Sequence, residues 1–404
     1  MAVLKPFKAW RPKPEFAEEV ACVPYDVIST SEAREIAAGH EKSFLHVIRP
    51  EIDYPAGTSV YDDKVYQKGK ENLYSLLNSD IFLQEKNESL YIYRLTMNGR
   101  SQTGIFGCVS VDDYNNDVIL KHEKTRPDKE NDRTKHIVTQ QAHAEPVMLT
   151  FRDTESISKF MIDFIRDNSP VYEIKTGDGI SHTIWKVEEH SPLTDAFDKI
   201  PKIYVADGHH RCASAARAAK ESASKNADHD GSEEYNYFPA VLFPTDQLEI
   251  LAYNRIILSI PEDFLKQISA LFNVKKKAHP VPREKGTIAF YLNDNWYSIE
   301  LENNDGSDPV SSLDISIFQK QVLKPILGIK DQRTDPNIDF VGGIRGTDEL
   351  EKLVDTGEAA LGISFYPTSI GELLEVSDAG LLMPPKSTWF EPKLRSGLLI
   401  HTFK

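Results

Sequence analysis

Asp207-Gly208-His209-His210-Arg211 puts a carboxylate, a glycine, two imidazoles and a guanidinium in five consecutive positions. The run before it, Lys202-Ile203-Tyr204-Val205-Ala206, is β-branched and aromatic, and the run after it, Cys212-Ala213-Ser214-Ala215-Ala216-Arg217, is Ala-rich. The spacing predicts a strand, a turn and a helix in direct succession. Such a junction aims the free N–H groups of the helix start at whatever lies above the sheet. Glycine lets the backbone approach a ligand and takes positive φ without strain. The chemistry that fits is anion binding, with a phosphate or pyrophosphate held by Gly208, His209, His210 and Arg211. Asp207 taken alone reads as an N-cap. Three cationic or protonatable side chains oppose the dipole at a helix start, however, and favour an anion there.

Four other segments carry chemistry. In Pro24-Tyr25-Asp26-Val27-Ile28, Asp26 is a carboxylate in an apolar run, a general base or metal ligand on one reading and a turn residue on the other. In Lys121-His122-Glu123-Lys124-Thr125, cations keep Glu123 ionised and able to accept a proton from a substrate hydroxyl. A solvated helix start explains that segment equally well. Asp339-Phe340-Val341-Gly342-Gly343 is a turn or a second backbone approach to a ligand, and the turn is favoured. Prolines on both sides of Lys386-Ser387-Thr388-Trp389-Phe390 make a rigid loop that presents Lys386, Ser387 and Thr388 as anion donors, with the aromatics packed down. Neither a P-loop nor a dinucleotide fingerprint is present, nor a zincin motif or a nucleophile elbow.

These residues need a scaffold, and 404 residues suffice for a large core in two or three domains. A formal charge of −15 repels nucleic acid and anionic membrane. Lys and Arg cluster around 121–135 and 386–395, which fits a focused anion pocket better than a DNA-binding face. Cys22, Cys108 and Cys212 lie far apart, as expected of a reducing compartment without disulfides or structural zinc. The N-terminus lacks the apolar run of a signal peptide, and no stretch reaches the ~20 apolar residues of a membrane helix. The expectation is a cytoplasmic protein.

The chain alternates strands and helices, so the expected class is mixed α/β or α+β. Helices are expected after Ser29-Thr30-Ser31, over about Tyr61 to Leu77, and around Asp128 to His143. Leu90–Arg94 and Gly104–Ser110 read as strands joined by the Met97-Asn98-Gly99 turn, and Pro146–Phe151 as a buried strand. Phe238–Phe243 and Leu248–Tyr253 read as strands. Beyond them come a helix near Pro261 to Phe272, a hairpin of Thr287–Leu292 with Trp296–Leu301, and a helix near Leu313 to Leu327. The boundary is placed at 245, giving a catalytic region of 1–245 and a C-terminal α+β region of 246–404 that completes the site.

Taken in order, Pro24-Tyr25-Asp26-Val27, His122-Glu123-Lys124-Thr125 with Asp132-Arg133, Asp207 to Arg211, Asp339 to Gly343, and Pro384 to Thr388 resemble a bacterial family catalogued as domain of unknown function 1015. The Asp-Gly-His-His-Arg turn is similar to the anion loop of the ParB/sulfiredoxin superfamily. The resemblance implies a ParB/sulfiredoxin-like core and a kinase that phosphorylates free serine from inorganic pyrophosphate with Mg²⁺. It also implies the reverse reaction, in which phosphoserine and phosphate yield serine and pyrophosphate. The partners it implies are small molecules, with no nucleic acid and no membrane. Glu123 or Asp26 would serve as base, with Asp207 beside them. Arg133, Lys386, Ser387 and Thr388 would add phosphate contacts. On this reading Arg211→Ala weakens donor binding far more than folding. Sulfiredoxin chemistry needs a cysteine inside the loop, where this chain has His209-His210, with Cys212 after Arg211. A ParB-like nucleotide switch or DNA-associated module is the non-enzymatic alternative.

Overall fold

A computed structural model of the chain describes residues 2–302 and 306–403. Two compact units make it up. The first comprises residues up to 121, 125–248 and from 392, and the second 122–124 and 249–391.

The first unit is built on a mixed nine-stranded sheet. Its order is Ile119–Leu120, Ile203–Asp207, Val147–Phe151, Tyr237–Pro244, Arg100–Ser110, Leu90–Met97, Ser181–Val187, Tyr172–Lys175, with Leu4–Lys5 also beside Arg100–Ser110. Ile203–Asp207 runs parallel to Ile119–Leu120, and Tyr237–Pro244 parallel to Val147–Phe151. Every residue of Val147–Phe151 is buried, as expected of a strand covered on both faces. The hairpin between Leu90–Met97 and Arg100–Ser110 turns on Asn98 and Gly99, both at positive φ, the conformation that a two-residue Asn-Gly loop favours.

Helices flank this sheet. Thr30–Ala37 starts in a capping box between Ser29 and Glu32. Asp63–Leu77 matches the helical spacing of its apolar residues. Pro127–Gln140 begins on Pro127, whose missing N–H is no loss at a first turn. It stops short of the expected His143 because Gln141 turns left-handed and Ala142–His143 pairs with His401–Thr402 near the C-terminus. His209–Lys225 packs on Pro127–Gln140, with Ser214 Oγ donating to the Glu130 carbonyl at 3.2 Å.

The second unit centres on a six-stranded antiparallel sheet ordered Lys275–Lys276, Asn295–Glu300, Thr287–Leu292, Leu361–Phe365, Tyr253–Ile257, Ile338–Gly342. The expected strand Leu248–Tyr253 breaks at Ala252. Glu249–Leu251 pairs with Trp389–Glu391, whereas Tyr253–Ile257 enters the six-stranded sheet. The helix expected over Leu313 to Leu327 is Asp314–Phe318 continued by a π turn, Gln319–Leu323. The glycines of Asp339–Gly343 serve packing, since a Cβ on Gly342 would lie 2.6 Å from Trp389 Cζ3. Among the described residues no helix is long and apolar enough to cross a membrane.

Candidate anion site

The strand Ile203–Asp207 ends at the carboxylate itself, and Gly208 is the N-cap of His209–Lys225, at φ 101° and ψ 31°. Asp207 is therefore not the cap. Its Oδ2 accepts from Arg211 Nη2 at 3.0 Å, and its Oδ1 lies 3.5 Å from Lys393 Nζ. Glycine is required at 208 twice over: φ is left-handed, and a Cβ would sit 3.1 Å from Arg211 Nε and 3.2 Å from Val147 Cγ1. His209 is buried, and half-buried His210 accepts the Arg126 N–H on Nε2 at 3.0 Å.

Arg211 is only 6% exposed. Its Nη1 donates to the Pro146 carbonyl. Burial opposes its charge, but the carboxylates of Asp26, Asp207 and Glu145 outweigh that and hold the guanidinium above its ordinary range. Arg133, also buried, gives Nε and Nη2 to Asp132 Oδ2 at 2.9 and 2.7 Å, and its Nη1 lies 3.7 Å from Glu145 Oε2. Tyr66 donates its hydroxyl to the other Asp132 oxygen at 2.9 Å. The Arg133 guanidinium rests 4.0 Å from the centre of the Tyr25 ring. For Glu145 the balance is reversed, because burial raises its pKa more than Arg211 and Arg133 lower it.

Tyr25 is gripped from both sides. Its N–H donates to Glu145 Oε1 at 3.1 Å, and its carbonyl accepts from Arg49 Nη1 at 2.9 Å. Arg49 is fixed in turn by Glu51, Nε to Oε1 at 2.9 Å. The neighbouring Asp26 is thereby held with its side chain exposed, within electrostatic reach of Arg211. Below these groups lies a cavity of about 40 Å³ lined by Arg133, Arg211, His136, His143, Gln140 and Glu145. His136 Nδ1, His143 Nε2 and Arg211 Nε find no partner in the protein, and a polar space of this size admits water to meet them. Burial keeps both histidines neutral, reinforced by Arg133 at His136 and by His401 at His143.

The residues expected at the site fall into two groups. Asp26, Arg133, Asp207, Gly208, His209, His210 and Arg211 belong to the first unit, whereas Glu123, Lys386, Ser387 and Thr388 belong to the second. In the second unit, buried His122 places Nε2 3.3 Å from Thr388 Oγ1, and half-buried Glu123 follows it in sequence. Ser387 is buried and donates its hydroxyl to the Pro384 carbonyl at 2.6 Å, so it braces the loop. Lys386 is exposed at φ 55°. Cys212 is fully buried, and burial pushes its thiol up to about 12. Such a thiol is unreactive.

Sequence reasoning missed Glu145 and Lys393 as parts of the first group. Glu145 is a lone acid before a buried strand, and that position was its one available signal. No group of three or more His, Cys, Asp or Glu suited to a metal occurs among the described residues. Mg²⁺ needs few protein carboxylates when phosphate oxygens and water complete its shell, and exposed Asp26 is the carboxylate here that suits that role.

Among solved structures, a free serine kinase in complex with AMP is 10% identical, with 74% of this chain and 91% of that chain covered and a TM-score of 0.40. A conserved hypothetical protein from Pyrococcus furiosus is 11% identical over 72% and 95%, with a TM-score of 0.38. SbnI with a C-terminal truncation, from Staphylococcus aureus, is 13% identical over 73% and 87%, with a TM-score of 0.40. No curated protein matches the chain. Lys393 apart, the segments whose side chains meet around Arg133 and Arg211 lie within residues 4–316, the part that matches the family described as "protein of unknown function (DUF1015)", and the chain belongs to that family.

Proposed function

We propose that the chain is a phosphotransferase acting on free L-serine, with pyrophosphate as donor and O-phospho-L-serine and phosphate as products. The core of its first unit is, on this reading, of the ParB/sulfiredoxin-like kind. The observation that carries the proposal is buried Arg211, in the first turn of His209–Lys225 and within electrostatic reach of the exposed carboxylate of Asp26, with buried Arg133 lining the same cavity. Phosphoryl transfer needs little from a protein beyond positioning and neutralisation of charge on the transferring group. Fixed guanidiniums and a helix N-terminus supply both.

The diphosphate lies over Gly208 and the first turn of the helix, with Arg211 as its principal cation. Asp207 and Lys393 keep Arg211 in place. Asp26 accepts the proton of the serine hydroxyl as the oxygen bonds to the terminal phosphorus. The bridging P–O bond breaks, and its electron pair leaves with the phosphate, which later takes up the proton. Glu123 is the other acid considered for the base. Asp26 is preferred because it shares a unit with both guanidiniums. Mg²⁺, when bound, neutralises diphosphate oxygens. The reverse direction would use the same groups to make serine.

The test is phosphorus NMR of the protein with Mg²⁺ and serine, with pyrophosphate, ATP or ADP in separate tubes. Growth of an O-phosphoserine signal with pyrophosphate alone supports the full reading. Activity only with a nucleotide keeps the reaction and overturns the donor. Nucleotide binding without turnover in any tube turns the reading to the ParB-like switch.

A further inference from the structure

Asp26, the base preferred above, has no side-chain support of its own. Its carboxylate is exposed, and no hydrogen bond or ion pair to it occurs among the described residues. The backbone alone aims it. Tyr25 and Asp26 form the corner of a turn in which the Val27 N–H donates to the Pro24 carbonyl at 3.4 Å. Tyr25 is buried, and side chains from elsewhere in the first unit meet both of its polar backbone groups. Glu145 Oε1 accepts the N–H at 3.1 Å, and Arg49 Nη1 donates to the carbonyl at 2.9 Å.

The Glu145 carboxyl is itself held by several elements. Its Oε1 also lies 3.5 Å from Ser396 Oγ, and its Oε2 lies 3.7 Å from Arg133 Nη1. Ser396 exchanges backbone hydrogen bonds with Cys22 at 3.2 and 2.9 Å, three residues before Tyr25. One carboxyl therefore joins the Asp26 turn to the helix of Arg133 and to the C-terminal segment beside the approach to that turn. Burial raises the pKa of Glu145, but the bond from Tyr25 needs only an oxygen acceptor. A carboxyl offers one in either protonation state.

We propose that Glu145, with Arg49 opposite it, is a positioning residue for the phosphoryl transfer, fixing the backbone of Tyr25 and through it the reach of the Asp26 carboxylate to the serine hydroxyl. The assignment rests on the phosphotransferase reading and adds to it the group that holds the base. Glu145 supplies an acceptor for the Tyr25 N–H and exchanges no proton with the substrate. A misplacement of the base by about 1 Å costs on the order of a hundredfold in rate.

Steady-state phosphoserine formation by the full chain tests this, with Mg²⁺, serine and whichever of pyrophosphate, ATP or ADP supports turnover, each variant being checked by its melting curve. Glu145→Ala should lower kcat about a hundredfold. KM for the donor should stay within about threefold, because Arg211 keeps its bonds to Asp207 and the Pro146 carbonyl. Glu145→Gln, which keeps an oxygen for the Tyr25 N–H, should recover about tenfold of the lost kcat. In an Asp26→Asn background Glu145→Ala should cost no more than about twofold, since the group it positions is gone. If Glu145→Ala does not fold, Arg49→Lys, which loosens the Tyr25 carbonyl, should lower kcat at unchanged KM. A wild-type protein that forms no phosphoserine overturns the phosphotransferase reading and this assignment with it. With an active wild type, the assignment alone is overturned by unimpaired kcat in Glu145→Ala or Arg49→Lys, by equal losses in the Gln and Ala variants, by additive loss in the Asp26→Asn background, or by a rise in KM that matches the fall in kcat.

Discussion

Asp207 and Arg211 meet across Gly208, Oδ2 to Nη2 at 3.0 Å, so one ion pair joins the end of a strand to the first turn of the following helix. A guanidinium at a helix start opposes the dipole, and Asp207 offsets that opposition from below. The arrangement fixes a cation where an incoming anion would also meet free backbone N–H groups.

This changes what Arg211→Ala should do. Sequence alone suggests a binding defect with little effect on folding. In the folded protein the guanidinium is buried against Asp207 and near Glu145 and Asp26. Removing one member of such a cluster costs about 3–5 kcal/mol, because the acids lose their counter-charge. Arg211→Ala should therefore lower Tm by on the order of 10 °C as well as abolish the proposed anion binding. Asp207→Asn keeps an acceptor oxygen and should cost less, about 1–2 kcal/mol, while loosening Arg211. Thermal melts with and without pyrophosphate check both, and an unchanged Tm for Arg211→Ala would refute the clamp.

Cys212 provides a cleaner contrast. Its thiol is fully buried with its pKa pushed up to about 12, so in the native protein it should resist iodoacetamide at pH 8 and react only after denaturation. Cys212→Ala should retain whatever phosphoserine formation the wild-type protein shows under the proposed function, at a stability cost of about 1 kcal/mol. Mass spectrometry of the alkylated protein reads the first outcome and phosphoserine formation the second. Loss of activity in a folded Cys212→Ala protein would point to thiol chemistry instead.

Much of the scaffold was legible because its signals are local. The Ser29-to-Glu32 capping box, the Asn98-Gly99 hairpin and the strand–glycine–helix order at 203–225 each follow from neighbouring residues. The grip on Tyr25 was not legible, because Glu145 and Arg49 reach it from 120 and 24 positions away. The return of residues from 392 to the first unit has no local signature either, and it is what brings Lys393 to Asp207. The N-cap reading of Asp207 failed because capping preference cannot foresee a long-side-chain partner one turn later.

Buried imidazoles should make the first unit sensitive to acid. His182 is fully buried, with Nδ1 2.8 Å from the Tyr93 hydroxyl, and burial followed by Arg395 pushes its pKa down to about 3. His136 and His143 are also pushed well down. Between the ordinary pKa of about 6.5 and the depressed native value, the unfolded chain binds a proton that the folded one refuses. Stability from these groups is fully present above that window and falls as pH drops through it, by on the order of a few kcal/mol for His182 alone. Glu145 acts in the opposite sense. Its pKa is raised, so its contribution is present below the ordinary carboxylate range and lost as pH rises through the native value. Urea unfolding at pH 7, 5.5 and 4 should show weakening toward acid. His182→Gln should flatten that trend, and Glu145→Gln should remove the opposing component.

Arg255 makes the strongest prediction in the second unit. It is fully buried at 0% exposure, yet its hydrogen-bond partners are neutral: Gln332 Oε1 at 2.7 Å and the carbonyls of Tyr253 at 2.8 Å, Pro385 at 3.2 Å and Lys386 at 3.4 Å. The rings of Phe340 and Phe365 lie 5.3 and 4.8 Å from the guanidinium. Burial lowers its pKa to about 9, so it remains charged at pH 7. A desolvated charge held by carbonyls is costly, and it persists here where it draws the Pro385-Lys386 turn onto the sheet. Lys386 sits in that turn at φ 55°, a conformation a non-glycine residue holds only when its surroundings enforce it. Arg255→Met fills the space but leaves those carbonyls unmet, and should destabilise by about 3 kcal/mol. Arg255→Lys keeps the charge without the fork and should recover only part of that. Hydrogen exchange at residues 386–388 should speed up in both variants, more in the methionine one. Unchanged exchange there, in a protein that is otherwise destabilised, would mean that Arg255 supports the sheet and not the loop.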